Sequence, residues 1–552
     1  MGIFQKLQET LKAEAERKAE MREKKELVSL LQSSFTKGQS AFAEKRYPEA
    51  LAAFEQAAEL GNATAQYSAG LMYYNGQGTY VNHAIAYMWF ERAARQGVSD
   101  AQYYCGLMCY EGDSVPVDEL RALTYFEQAA IQGHTGAQYW CGVLYDRSEL
   151  VGNKAKALEW YQRAAEQGHL NAQMRCAVML DTGDGVLQNK HQALHWYEEA
   201  AAQENVDAQY RCGQMYAEGD GILEDGEMAR YWLEAAALNG NMDAQLFCAK
   251  LYYFGQGVQQ DLTAALRWYE NAAEQGNADA QFACGVMYYG GEGAGQDSAA
   301  ALAWFEKAAR QDHTAALFNC GMLYETGEGT AANLKKAMLY YEQAADQGSP
   351  EGQYHCGLLH YSGRGTPVNY REALYRFRQA AAQDHPEAMY MCGVACDKGH
   401  GTRMDKIEAL SWYLRAAQRG VPKAQCRCGT MYYNGEGTAV DYEKALEWIE
   451  KAARNGSAEG QCMCGMMYLS GQGRPVNRRA GALWIEKSAK QDYPEAQYRY
   501  GMLYALGKGV EPSSEQALYW LRRAAMNGSP RARRALNALA DVEAMERMMQ
   551  DQ

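Results

Sequence analysis

The sequence repeats itself with a period of 36 residues, and this repetition limits the possible fold more than any other feature. An Ala or Gly begins each of thirteen copies, at Ala65, Ala101, Ala137, Ala172, Ala208, Ala244, Ala280, Ala316, Gly352, Ala388, Ala424, Gly460 and Ala496. Every interval is 36 residues except the interval of 35 between Ala137 and Ala172. Short units in such an array bury their apolar faces by stacking on their neighbours, so the chain is predicted to form a repeat solenoid.

Each copy is predicted to contain two helices joined by a Gly-x-Gly loop, as in "YYNGQGTYVN". An Asp, Asn or Ser precedes the second helix, where its side-chain oxygen can accept from backbone N–H groups that lack a helical partner. These residues are Asn82, Asp118, Asn153, Asn189, Asp225, Asp261, Asp297, Asn333, Asn369, Asp405, Asp441, Asn477 and Ser513. The second helix usually ends in a glycine suited to the left-handed conformation. Glu204, Asp312, Asp384 and Asp492 replace that glycine, which predicts looser helix ends there.

The pattern within a copy resembles the Sel-one-like repeat (SLR) family, a relative of the tetratricopeptide repeats. In one copy the family positions fall on Ala424, Cys428, Gly429, Tyr432, Gly435, Gly437, Asp441, Ala445, Trp448, Ala452 and Ala453. The resemblance implies an all-α fold, a right-handed α/α superhelical solenoid whose first helices line a concave surface. Family members typically act as scaffolds or adaptors, and bacterial members are linked to signalling, envelope and host-interaction roles. Cysteine stands where the family usually has leucine before the glycine.

Four segments are expected along the chain. Residues 1–30 form a charged helix or arm, 31–64 a tetratricopeptide-like capping hairpin, 65–531 the thirteen repeats and 532–552 a C-terminal capping helix. The charged start is read as a solvated helix. The alternative is a membrane contact through Ile3, Phe4, Leu7 and Leu11.

Charge and cysteine content exclude several classes of function. The net charge of −14 argues against nucleic acid as a partner, because phosphate binding requires basic stripes. No apolar run approaches the ~20 residues of a membrane span, and no secretory h-region is present. Fifteen cysteines, an odd number, fit a reducing cytoplasmic compartment.

No nucleophile, metalloprotease or phosphate-loop motif is found, so we expect no enzyme activity, no catalytic residue and no cofactor. The oligomeric state stays open.

A ladder of cysteines lies at position 5 when each first helix is numbered from its opening Ala or Gly. Its members are Cys105, Cys141, Cys176, Cys212, Cys248, Cys284, Cys320, Cys356, Cys392, Cys428 and Cys464. Neighbouring helices lie about 8–10 Å apart, and a disulfide requires Cα atoms within about 7 Å. We therefore predict that the ladder packs helices and binds no metal. Zinc at Cys392, Cys396 and His400 is the alternative.

The exposed side of the first helices carries the predicted binding residues. Positions 1, 5, 8 and 9 fall on one side of a helix and are apolar, whereas positions 3, 4, 7, 10 and 11 fall on the other. Tyr, Trp and Arg on a free surface are typical of protein interfaces. The predicted partner-binding residues are Tyr103, Tyr104, Tyr110, Tyr139, Trp140, Arg175, Tyr210, Arg211, Phe247, Tyr253, Phe282, Tyr289, Phe318, Tyr354, His355, Tyr390, Arg427 and Arg499. For position 3, packing against the adjacent repeat is the alternative.

These features lead to a scaffold or adaptor that binds a protein or peptide in a groove rich in Tyr and Arg. Two alternatives remain. One is an inhibitor or immunity-type protein that wraps a single toxin or enzyme. The other is a carbohydrate-binding solenoid, because tyrosine-rich grooves can also stack on sugars.

Overall fold

A computed structural model describes residues 2–538, apart from the side chains of residues 3–6. Every regular element in that range is an α-helix, as expected for an all-α solenoid. From Gly2–Ala43 to Met242–Phe254, and again from Ala278–Gly290 to Ser514–Met526, each helix packs on its neighbours in the chain. The chain divides into two compact units between Trp268 and Tyr269.

Thirteen pairs of helices form the repeats. The first helices are α3 (Ala63–Asn75), α5 (Ser99–Glu111), α7 (Thr135–Arg147), α9 (Leu170–Thr182), α11 (Val206–Glu218), α13 (Met242–Phe254), α15 (Ala278–Gly290), α17 (Thr314–Thr326), α19 (Pro350–Ser362), α21 (Pro386–Lys398), α23 (Pro422–Asn434), α25 (Ala458–Ser470) and α27 (Pro494–Leu506). The second helices are α4 (His83–Arg95), α6 (Glu119–Ile131), α8 (Lys154–Glu166), α10 (Lys190–Ala202), α12 (Gly226–Leu238), α14 (Leu262–Glu274), α16 (Ser298–Ala309), α18 (Leu334–Asp346), α20 (Tyr370–Ala382), α22 (Lys406–Gln418), α24 (Tyr442–Arg454), α26 (Arg478–Lys490) and α28 (Ser514–Met526).

The predicted caps of the second helices are confirmed in all thirteen repeats. Each of the thirteen side chains accepts from a backbone N–H in the first turn of its helix. Asp118, for example, accepts from the Arg121 N–H at 2.9 Å. One short polar residue thus fixes where each second helix begins.

The first helices begin two residues earlier than expected, and most have caps of their own. Asn62, Asn205, Asn241, Asn277, Ser349 and Ser457 act as caps, and so do four histidines, His134, His169, His313 and His385. The Nδ1 atom of His169 accepts from the Ala172 N–H at 3.2 Å. A histidine can accept in this way only while that nitrogen is unprotonated.

A glycine of the first helix lies against an aromatic ring of the second helix and sets the spacing of the two helices within a repeat. Gly285 lies beside Phe305, and a Cβ atom on that glycine would come within 2.5 Å of the ring. The same contact joins Gly38 to Phe54 in the N-terminal hairpin. All fifteen cysteines are buried as free thiols. The ladder cysteines behave as small apolar core residues beside this contact.

A row of buried glutamines at position 2 links neighbouring helices. The Gln102 Nε2 atom donates to the Ala94 carbonyl of the preceding helix at 3.1 Å, and its Oε1 accepts from Gln132 Nε2 at 2.8 Å. Eleven repeats bury this residue: Gln66, Gln102, Gln138, Gln173, Gln209, Gln245, Gln281, Gln353, Gln425, Gln461 and Gln497. A buried amide is tolerated here because its donor and its acceptor both have partners.

The N-terminal region consists of α1 (Gly2–Ala43) and α2 (Tyr47–Glu59). Helix α1 runs unbroken across the expected boundary at residue 30, so the charged segment continues into the first helix of the hairpin. Leu7 and Leu11 are exposed, whereas the side chains of Ile3 and Phe4 lie outside the described residues. No helix among the described residues is long and apolar enough to cross a membrane. Of the expected C-terminal cap, residues 530–538 are helical and 539–552 lie outside the described range.

Candidate partner-binding surface

The first-helix face is the surface formed by positions 3, 4, 7, 10 and 11 of the first helices. All eighteen residues predicted to bind a partner lie on this face and are half-buried. None of them is fully exposed. Their buried parts contact neighbouring helices, while their accessible parts form the surface.

The aromatic residues at position 3 connect each repeat to the next. Tyr103 stacks on His134, the cap of the following first helix, with 4.5 Å between ring centroids, and it contacts Phe126 of its own second helix at 6.0 Å. Tyr139, Phe282, Phe318, Tyr354 and Tyr390 make the same contact with a second-helix ring. Burial raises the pKa of Tyr103. Packing between repeats is therefore one role of position 3.

Aromatic residues at positions 4 and 10 form a continuous array across the first repeats. Tyr104 stacks on Phe90 of the preceding second helix, with centroids 4.9 Å apart and planes 13° apart. Trp140 lies over Phe126 in the same way at 6.0 Å and contacts Tyr110 at 4.9 Å. Rings held by such contacts lose little side-chain entropy when a partner binds.

In three repeats the arginine at position 4 joins a charged cluster that we call the clasp. Arg211 donates through Nε to Asp181 at 2.9 Å and through Nη2 to Asp220 at 2.8 Å. The Lys190 Nζ contacts the same two carboxylates at 2.6 and 2.8 Å, and the Tyr197 hydroxyl donates to Asp181 at 3.2 Å. Burial disfavours the charge on Asp181, but Arg211 and Lys190 outweigh it and lower its pKa. The clasp ties one repeat to the next.

The same four positions carry the same charge types twice more. The residues are Asp146, Lys154, Arg175 and Asp184 in one clasp, and Asp397, Lys406, Arg427 and Glu436 in the other. Tyr161 and Tyr413 donate to the buried aspartates as Tyr197 does. A related cluster pairs His355 with Glu325 at 3.7 Å. The predicted residues Arg175, Arg211, His355 and Arg427 therefore contact acids of their own chain.

The remaining predicted residues have fewer internal contacts. The Tyr210 hydroxyl accepts from Gln214 at 2.9 Å, and the Tyr289 hydroxyl donates to Glu328 at 3.0 Å. Phe247 lines a cleft of about 540 Å³. The Tyr253 ring lies 5.0 Å from that of Phe254. Arg499 lines a separate cleft of about 560 Å³.

Phe254 is a further aromatic residue on the first-helix face, in addition to the eighteen predicted residues. It occupies position 11 of its repeat and is 63% exposed. Position 11 falls on the same helix face as positions 4 and 7. The signal was available, because an aromatic residue at that position is unusual among the thirteen copies.

The cysteines are buried, and the candidate zinc ligands are held in other contacts. Burial raises the pKa of Cys284 to about 12, which keeps the thiol protonated. The Nδ1 atom of His400 is hydrogen-bonded to the Tyr361 hydroxyl at 2.8 Å, and its ring stacks on Tyr370. Within residues 2–538, His400 does not form a three-ligand group with Cys392 and Cys396.

A different group in the described part of the chain could hold a metal ion. Ligand atoms of Glu342, Cys356 and His360 lie within 4.8 Å of one another. In most other repeats a tyrosine takes the place of His360 and donates to the equivalent glutamate, as Tyr324 does to Glu306 at 2.7 Å. Burial raises the pKa of Cys356 to about 12, so a metal would have to displace its proton.

Comparison with known proteins identifies the repeats. The Sel1 repeat family matches residues 63–98, 99–134, 135–169, 170–205, 206–241, 243–277, 278–313, 314–349, 350–385, 386–421, 422–457, 458–493 and 494–529. These thirteen matches follow the helix pairs described above. The chain belongs to the Sel1 repeat family. Sel1-repeat proteins generally mediate protein–protein interactions and are typically non-catalytic.

Two solved Sel1-type structures are similar to this chain. A protective antigen of uropathogenic Escherichia coli strains, with an SLR fold, is 31% identical with a TM-score of 0.59, over 84% of this chain and 99% of its own. A Sel1 repeat protein from Oxalobacter formigenes is 30% identical with a TM-score of 0.50, over 59% of this chain and 93% of its own. No curated protein matches.

Proposed function

We propose that this Sel1-repeat chain is a non-enzymatic scaffold or adaptor that binds a protein or peptide partner on its first-helix face. The observation that carries the proposal is the array of half-buried aromatic rings and arginines on successive first helices. Rigid aromatic side chains and Arg supply most of the binding energy in protein interfaces. We place this role in a bacterial signalling, envelope or host-interaction context.

We further propose a cytoplasmic location. The support is the chemistry of the fifteen cysteines, all of which are buried thiols without a bond to another cysteine. A reducing compartment preserves such thiols. Fractionation of the native host would test this location.

A partner can be identified by affinity capture on the full chain followed by mass spectrometry. The surface is then tested with Phe254→Ala, because Phe254 projects from the first-helix face and is 63% exposed. We expect about tenfold weaker partner binding, as for removal of one aromatic anchor. The matched control is Leu238→Ala on a second helix, where the side chain is 77% exposed.

The outcomes separate the proposed role from its alternatives. Capture of several proteins supports a scaffold, whereas one tight partner whose activity is blocked supports an inhibitor. Equal loss of binding in the Phe254 and Leu238 variants would remove the first-helix face from the proposal. Binding of glycans with no protein ligand would replace it altogether.

A further inference from the structure

A cleft of about 560 Å³ lies between α25, α26 and α27, and we call it the basic cleft. Its wall includes Met466, Leu469, Leu506, Arg478, Arg499 and Lys508. A volume of this size accommodates a few side chains of a ligand. The wall combines apolar groups with three cations and is therefore suited to a ligand that is both apolar and anionic.

The basic cleft occupies the same repeat positions as the clasp. Arg499 stands at position 4, like Arg211, and Arg478 begins the preceding second helix, like Lys190. The two acids of the clasp are missing. Leu469 replaces the aspartate at position 10, and Lys508 replaces the acid of the Gly-x-Gly loop.

The cations of the basic cleft consequently lack the neutralising partners found in the three clasps. Arg478 and Lys508 have no ion pair within residues 2–538. Arg499 contacts Glu495 at 2.8 Å, but that carboxylate is shared with Arg531 at the same distance. The Nε atom of Arg499 is buried without a hydrogen-bond partner in the described chain. Buried donors normally find an acceptor, so an external one is expected.

The surrounding sequence is basic although the whole chain is acidic. Residues 471–534 contain twelve Lys or Arg and five Asp or Glu, whereas the chain as a whole carries a net charge of −14. The local excess attracts a short acidic segment. A long polyanion would also meet the acidic remainder of the chain, which disfavours nucleic acid.

We propose that the basic cleft binds an acidic peptide segment of a partner protein. Its carboxylates take the places left by the missing clasp acids and pair with Arg478, Arg499 and Lys508. An apolar side chain next to them packs on Met466, Leu469 and Leu506. This inference rests on the proposed partner-binding role and adds the chemical class of one ligand.

The test measures binding of two fluorescein-labelled peptides to the full chain by fluorescence anisotropy. One peptide has the sequence EMDLEL and the other its amide form, QMNLQL, with capped termini. We expect the acidic peptide to bind about tenfold more tightly, because only carboxylates pair with the three cations. Raising the salt concentration should weaken that binding.

Two variants test the place of binding. Leu469→Asp combined with Lys508→Asp restores the clasp acids and should reduce acidic-peptide binding about tenfold. Lys508→Asp alone changes an exposed loop residue and should act in the same direction if the double variant fails to fold. As the reciprocal control, Asp181→Leu with Asp220→Lys removes the acids of an existing clasp and should create acidic-peptide binding.

Several results would overturn the inference. Equal affinity for the two peptides, no effect of Lys508→Asp, or full competition by millimolar glutarate without peptide selectivity would each do so. If the acidic peptide fails to bind but a captured protein still loses affinity on Phe254→Ala, the scaffold role survives and only the basic cleft is rejected. If neither binds, the scaffold role fails too.

Discussion

At the scale of single residues, four acids occupy a backbone conformation that favours glycine. Glu204, Asp312, Asp384 and Asp492 have φ values of 64°, 59°, 64° and 61° at the ends of second helices. Their backbones lie in the left-handed region, as do those of Gly276 and Gly348 at φ values of 96° and 91°. The looser helix ends expected from the sequence stay a prediction. A Cβ atom in that conformation costs roughly 1 kcal/mol.

The substitution Asp312→Gly should therefore stabilise the protein. We expect a gain of about 0.5–1 kcal/mol in the free energy of local opening. Hydrogen exchange at the end of α16 measures this opening directly. Gly348→Asp, at the equivalent place in the next repeat, is the reverse control, and a gain in that variant would contradict the explanation.

Histidine caps make part of the stability depend on pH. Burial lowers the pKa of His169, and only its neutral ring can accept from Ala172. The folded pKa thus lies below the unfolded value of about 6.5. Stability from this cap is complete above that pH and falls as the pH drops below it.

The variant His169→Asn tests this dependence, because Asn205 and Asn241 cap other first helices without titrating. We expect the variant to gain stability relative to the wild type as the pH falls from 7.5 to 5.5. Thermal melting at several pH values measures the difference. Melting curves that shift in parallel over that range would contradict the role of the neutral ring.

At the scale of helices, the clasps join repeats through charges that are partly removed from water. Asp181 has only 8% of its side chain exposed and has Arg211, Lys190 and Tyr197 as partners. Its lowered pKa means that the clasp is complete above the unfolded value of about 3.9. The clasp's contribution is lost as the pH falls below that value.

Asp181→Asn should destabilise the chain at neutral pH, because Arg211 and Lys190 then lose the negative charge of their buried partner. A loss of about 1–3 kcal/mol is typical when one member of such a network is removed. Urea denaturation followed at pH 7 and pH 3.5 should give a smaller difference between variant and wild type at the lower pH. An equal difference at both pH values would rule out the charge on Asp181 as the cause.

Helix order and helix starts could be predicted from the sequence, whereas contacts between repeats could not. The cap at Asp118 involves residues only three positions apart, so the local sequence pattern is sufficient to predict it. The burial of Gln102 was not predicted, because a polar residue is expected to be exposed unless its two partners, eight and thirty residues away, are known. The clasps were missed for the same reason, although Asp at position 10 accompanies Arg at position 4 of the next copy in all three.

At the scale of the whole molecule, the first helices of successive repeats share a face that carries aromatic rings and arginines. The predicted binding residues lie on first helices, but they are half-buried, and Trp140 and Arg211 among them contact the preceding repeat. Their rigidity and their function are thus coupled. Substitution of Trp140 or Arg211 would disturb packing as well as binding, and Phe254 separates the two effects.

The most direct test of the binding surface is hydroxyl-radical footprinting of the full chain with its captured partner. We expect labelling of Tyr104, Trp140 and Phe254 to fall when the partner binds. Labelling of Tyr231, Tyr375 and Tyr519, which are exposed on second helices, should stay unchanged. Protection of the second-helix tyrosines with unchanged labelling of Phe254 would contradict the claim that the first-helix face binds the partner.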